Sequence, residues 1–252
     1  MRISLSVVLL LGVVSLGVWI GADYEVVDLT HVISPGIPIW PGDPKPTIKP
    51  IATVEKDGYF LNEFSIGEHS GTHFGAPAHF VSGGKTVDEI PADLLIIPAV
   101  VIDISQKCRT NPDYALTVND VLNWEKENGR IPSNSLVMAY TGWDEKWGDP
   151  KAFFGFDENG GMHFPGFSEE AVIFLMEKRG VKGLGIDTHG IDPGFDEEYK
   201  SNTALFERGG FHLENLANLG KLPPKGFYVF IGALPINGGS GSPARVLALV
   251  PR

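Results

Sequence analysis

The chain has 252 residues, 43% of them hydrophobic and 20% charged, which is enough apolar material for a full core in one domain. A formal net charge of −11, with no Lys/Arg cluster or zinc-finger spacing, repels phosphate backbones and excludes nucleic acid as a partner. The single cysteine, Cys108, excludes an intrachain disulfide framework.

Residues 1–22 carry one charge at Arg2, then an apolar stretch and small residues before Asp23, the pattern of a secretory signal cut after Ala22. The stretch is long and Ile20 is not small, so an uncleaved membrane anchor over residues 3–20 is the alternative. The remaining domain, 23–252, stays acidic. Residues 24–30 predict a strand, and the proline-stiffened loop 34–44 follows with Trp40 as its large exposed side chain. Two strands are expected within 48–66 around Lys56, Asp57 and Gly58, and a buried strand within 94–104. Cys108 reads as a small half-buried filler at a strand end rather than a nucleophile.

Thr117 caps a helix running to Asn128, with Gly129 and Pro132 ending it. Ser168 caps another, with early acids, late bases and Gly180 at its end. Buried strands are expected at 136–141, 181–187 and 227–234, and a last one at 245–249. Strands thus outnumber helices. The pattern is that of an α/β single domain with a mixed, barrel-like β sheet and flanking helices rather than regular βαβ winding, and no glycine fingerprint supports a dinucleotide site.

His69, His73 and His79 lie within eleven residues, separated by small or turn-forming Ser70, Gly71, Thr72, Gly75, Ala76, Pro77 and Ala78. A divalent ion needs neutral imidazoles or carboxylates converging on one point, and small residues leave room for that. The spacing of 69 and 73 suits a helical turn or a tight loop, and Pro77 favours the loop. Elsewhere, the segment 238–243 reads as a tight turn or active-site wall, and the acidic stretch 192–198 as a solvated loop. No Gly-X-Ser-X-Gly elbow supports a serine hydrolase.

The segment resembles the signature of the cyclase-type metal-dependent hydrolases, which include kynurenine formamidases (arylformamidases) and isatin hydrolases. That signature runs His-X-Gly-Thr-His-X-Asp-X-Pro-X-His, and His69, Gly71, Thr72, His73, Pro77 and His79 match it in register. The resemblance extends through Asp28-Leu-Thr-His31, Pro38-Ile-Trp-Pro-Gly-Asp43, Thr141-Gly-Trp143, Gly185-Ile-Asp187, Ile191-Asp-Pro193, Glu214-Asn-Leu216 and Gly238-Gly-Ser-Gly-Ser-Pro243. It implies a swivelling β/β/α fold and one divalent metal ion, zinc or manganese. His69, His73 and Glu214 would be its ligands, and His79 the catalytic proton carrier.

The same resemblance implies a small aromatic amide as substrate: an N-formyl aryl amide, as in tryptophan catabolism to kynurenine, or a cyclic amide. Trp40 would stack on the substrate ring, and the chain would form a homodimer or higher homo-oligomer. Two positions depart from the family: Gly75 stands at the signature aspartate, and Asn202 where some relatives carry a histidine twelve residues before the glutamate. Strand alternation puts His212 on the same face as Glu214, making it the candidate replacement ligand. His189 shares a face with Asp187 in the same way, with simple hydrogen bonding as its default role and turn capping as that of Asp187. A binding protein that keeps the pocket without a metal is the rival reading, and Gly75 is the residue that favours it.

Overall fold

The computed structural model describes residues 23–252, so the signal or anchor expected at 1–22 lies outside the described residues. Among these, no helix is long and apolar enough to cross a membrane. In chain order the strands are β1 (Tyr24–Asp28), β2 (Thr47–Ala52), β3 (Leu61–Ser65), β4 (His73–Gly75), β5 (Ile96–Asp103), β6 (Ala115–Leu116), β7 (Leu136–Tyr140), β8 (Gly166–Phe167), β9 (Gly183–Ile186), β10 (Phe211–Glu214), β11 (Phe227–Ala233) and β12 (Gly241–Pro251). The helices are α1 (Val54–Asp57), α2 (Ser105–Thr110), α3 (Val118–Asn128), α4 (Pro150–Phe154), α5 (Glu169–Phe174) and α6 (Lys200–Glu207).

Seven strands close into a mixed barrel in the order β12-β11-β5-β7-β9-β10-β4, with β4 pairing back onto β12. β1 extends the far half of β12. The barrel-like α/β architecture expected from the sequence is therefore present, with one correction. β5, β7, β9 and β10 are parallel neighbours joined through helices, so this half of the barrel is regularly wound βαβ. The remaining barrel pairings are antiparallel.

The parallel strands are apolar throughout because both of their faces are covered. Val100, Ile102, Val137, Ala139, Leu184 and Ile186 pack outward against α3, α5 and α6. Ile97, Ala99, Val101, Leu136 and Met138 fill the barrel interior. This is the period-two alternation of a strand expressed as two cores. Gly185 faces inward where a Cβ would press on Met138 and Leu216.

Local signals act where they were expected. Thr117 and Asp120 form a reciprocal capping box on α3, and Ser168 Oγ accepts the amide of Ala171 at the start of α5. α5 widens into a π-helical turn over Leu175–Arg179 before Gly180 ends it at φ 69°. Cys108 lies inside α2 rather than at a strand end, and it is buried. That burial pushes its thiol up to about 12, which makes it inert. β2 and β3 form a separate hairpin with α1 in its turn, and Ile48, Ile51, Phe60, Leu61 and Phe64 are exposed on and beside it.

Arg179 closes the helical layer by a forked contact on Glu125 of α3, Nε to Oε1 at 2.6 Å and Nη2 to Oε2 at 2.7 Å. Glu125 also accepts the amide of Ile131 at 2.9 Å. The Arg179 guanidinium holds the Glu125 carboxyl below its ordinary range. Its contribution is therefore present above the unfolded carboxylate pKa and is lost as pH falls through the lower, folded one. Replacing Glu125 by Gln is expected to cost about 1–2 kcal/mol near neutrality, allowing for solvent screening. Denaturant midpoints measured from neutral to acid pH check this, and the variant's deficit should shrink toward acid.

Candidate active site

The closing strand β4 positions the site. It is flanked by β10 and β12, and its register sets His73 opposite Glu214 and Pro243, and Gly75 opposite His212 and Gly241. Directly opposed residues project to the same face of a sheet. Phe74 and Leu213 therefore enter the barrel core, while His73, Gly75, His212 and Glu214 share the outer face. His69 precedes the strand in a loop whose turn needs glycine at Gly71, with φ 67°. The loop rather than the helical reading of 69–73 is thus the one observed. Gly241 leaves the space beside β4 that the His69 ring occupies.

His69, His73 and His212 bring one ring nitrogen each within 4.8 Å of one another. In each ring one nitrogen is tied and the other has no hydrogen-bond partner. His73 Nδ1 donates to Gly71 O at 3.0 Å, leaving Nε2 free. His69 Nε2 lies 2.9 Å from Ser240 Oγ, which itself donates to Glu68 Oε2, so His69 donates from Nε2 and Nδ1 is free. His212 Nδ1 lies 2.8 Å from Asn202 Oδ1, leaving Nε2 free. Buried nitrogens rarely lack partners, and an imidazole whose far N–H is anchored is how proteins present a ligand lone pair.

Burial lowers the pKa of His212 to about 3 and holds His69 far below its ordinary value, so both rings are neutral, the form that binds a cation. For Glu214 burial alone would raise the pKa, but His212, whose Nδ1 lies 3.1 Å from Oε1, holds the carboxyl below the usual carboxylate range. Its Oε2 lies 3.4 Å from His73 Nε2, and its Oε1 accepts the amide of Ile191 at 3.2 Å. These donors fit a divalent metal ion.

His79 follows on the short 3-10 turn Pro77–His79 and stacks on His69, with ring centroids 3.7 Å apart. Burial lowers its pKa, leaving a neutral ring with an edge on the pocket. That pocket, of roughly 450 Å³, is lined by His69, His79, His212 and Glu214 on one side and by Trp40, Phe80, Phe164 and Tyr199 on the other. Trp40 is half-buried rather than fully exposed, meeting Phe154 and Phe164 edge-on, 5.4 Å from the His189 ring. His189 is buried with Nε2 unpartnered on this pocket, so it is not the simply hydrogen-bonded residue expected. It lies outside the three-histidine cluster, and burial lowers its pKa to about 4.

Asp187 caps a turn as expected, accepting the amides of Thr141, Gly142 and Trp143 together with the Thr141 hydroxyl. Asp192 corrects the solvated-loop reading of 192–198. It is buried, receives the amides of Ser201 and Asn202 at the start of α6, and accepts Asn202 Nδ2 at 2.7 Å. Sequence reasoning missed Asp192, Ser240 and Glu68 as supports of the histidines. Only the match at 191–193 and the wall assigned to 238–243 pointed near them.

Residues 27–193 match the family described as "Putative cyclase". The chain belongs to the cyclase family. It is 38% identical over 251 residues to the isatin hydrolase of Roseibium aggregatum, covering 92% of this chain and 94% of that one. The kynurenine formamidase of Salinibacter ruber is 25% identical over 224 residues, covering 88% and 95%. Among solved structures, an isatin hydrolase bound to the product analogue thioisatinate superposes with a TM-score of 0.86 at 37% identity, covering 91% and 93%. Isatin hydrolase A from Ralstonia solanacearum does so with 0.84 at 38%, covering 90% and 92%. This cyclase-family chain is an enzyme, a hydrolase of amide C–N bonds.

Proposed function

We propose that this cyclase-family enzyme uses a divalent metal ion to hydrolyse a small aryl amide, with a cyclic amide of the isatin class as first choice. The observation that carries the reading is the set of three buried imidazoles, each with one nitrogen tied and the other free, beside an aromatic pocket. The identity of 38% to an isatin hydrolase, against 25% to a kynurenine formamidase, favours the cyclic amide over an N-formyl aryl amide.

His69 and His73, with Glu214 beside them, would hold the ion, zinc or manganese. When bound, it supplies polarisation of the amide carbonyl and a lowered pKa for the attacking water. His79, stacked on His69 at the edge of the pocket, would accept a proton from the attacking water and return it to the leaving nitrogen. The water oxygen bonds to the carbonyl carbon and the C–N bond breaks. For a cyclic amide the ring opens to one product that carries both an amine and a carboxylic acid, and the acid loses its proton at neutral pH. Trp40 supplies a ring face for the aromatic part of the substrate, and Phe80 and Phe164 keep water from its far edge.

Isatin and N-formylkynurenine, each assayed with and without a chelator, test the reading. Turnover of isatin should exceed that of the formamide and vanish on chelation, and chelator-resistant turnover would overturn it. His79→Ala is expected to lower kcat about 10²- to 10⁴-fold with metal content unchanged. Parallel loss of metal would make His79 a ligand instead.

The export and assembly readings belong to the same proposal. Residues 1–22 carry the signal pattern, and the apolar hairpin of β2 and β3 is the surface that a second copy would cover. Intact mass and light scattering of the exported protein check both: a chain starting at Asp23 and more than one copy per particle are expected.

A further inference from the structure

We infer that this protein has moved one metal ligand across a strand pair: His212 on β10 supplies the donor that the family signature takes from an aspartate on β4. The inference rests on the metal-dependent reading above and deepens it. Gly75 and His212 are directly opposed in the β4–β10 register. A Cβ built on Gly75 would overlap the His212 imidazole, so an aspartate at 75 and this placement of the histidine exclude one another. The ring of His212 lies where the side chain of residue 75 would begin, and its free Nε2 joins the nitrogens of His69 and His73.

The second departure from the family serves the first. Asn202 accepts from His212 Nδ1 at 2.8 Å, which fixes the tautomer that leaves Nε2 unprotonated. The orientation of the Asn202 amide is fixed in turn, because its Nδ2 donates to Asp192 Oδ2. Asp192 is anchored by the first amides of α6. Asn202 is therefore a positioning residue for His212, and positions 75, 202 and 212 act together.

The consequence is a change in the donor set. The signature's two imidazoles and a carboxylate become three neutral imidazoles, with Glu214 as the one adjacent anion. Imidazole donors suit zinc and cobalt, whereas carboxylate donors favour manganese and magnesium. Relative to a site in which an aspartate takes the place of the third imidazole, this one discriminates more strongly for zinc against manganese.

The test compares the wild-type chain, His212→Ala, Gly75→Asp and the double variant Gly75→Asp/His212→Ala. Zinc, cobalt and manganese affinities are measured by competition with a chromophoric chelator, and imidazole donors are counted by zinc-edge X-ray absorption. The wild type should show one zinc with three imidazoles. His212→Ala should lose about 100-fold or more in zinc affinity, beyond the loss typical of a supporting residue. Gly75→Asp alone should bind poorly, because its side chain and His212 compete for one space.

The double variant should recover zinc binding with two imidazoles and show a zinc-to-manganese affinity ratio about tenfold or more below the wild type. Circular dichroism on each variant separates loss of fold from loss of ligand, and the double variant provides a second reading if His212→Ala is unstable. A wild type that binds no zinc, cobalt or manganese would overturn the metal-dependent reading itself. A wild type that binds zinc through only two imidazoles, with His212→Ala binding it equally well, would overturn this inference alone.

Discussion

Closure of the barrel through β4 is the constraint on which the rest of the site depends. A strand of three residues pairs on both sides, with β10 and with β12, and so completes the hydrogen bonding of two edges at once. Because side chains alternate, anchoring Phe74 in the core turns His73 and position 75 outward, and the same register turns His212 and Glu214 to meet them. A slip of one residue in β4 would send His73 into the apolar interior and Phe74 out to the pocket. The packing of Phe74 against Phe211, with ring centroids 5.0 Å apart, holds that register.

Burial supplies the second condition. Desolvation among these rings disfavours charged imidazolium, and the Glu214 carboxylate beside them is kept ionised by His212. The rings are held as neutral donors by acceptors drawn from separate parts of the chain: Gly71 O for His73, Ser240 for His69 and Asn202 for His212. His69 and His73 lie four residues apart, but His212 and the supports Asn202 and Ser240 come from distant segments of the chain. Such dispersion is what lets a mixed barrel, rather than a single helix or loop, orient several rings toward one point.

Much of the scaffold was legible because its causes are local. Thr117 and Ser168 announce their helices by capping chemistry, Gly129 and Gly180 end them, and the apolar runs at 96–103 and 136–140 are strands covered on both faces. α6 was not legible. Its cap position, Tyr199, offers no side-chain acceptor, and the amides of its first turn are received by Asp192, nine and ten residues before the residues that donate. β4 was hidden for a different reason: three residues carry too little pattern to reveal a strand that long-range pairing creates.

The sequence by itself determined the family resemblance, the cluster of His69, His73 and His79, and the two departures at Gly75 and Asn202. Read along the chain, those departures look like losses, because a missing carboxylate and a missing histidine are local facts. Only the tertiary structure decided that they are coupled. Gly75 lies 137 positions before His212, and no short-range periodicity connects them, yet antiparallel pairing sets them side by side and lets the absence of one side chain make room for the other. Pairing register is set by the whole barrel, and a vacancy in a motif has meaning only once the strand across from it is known.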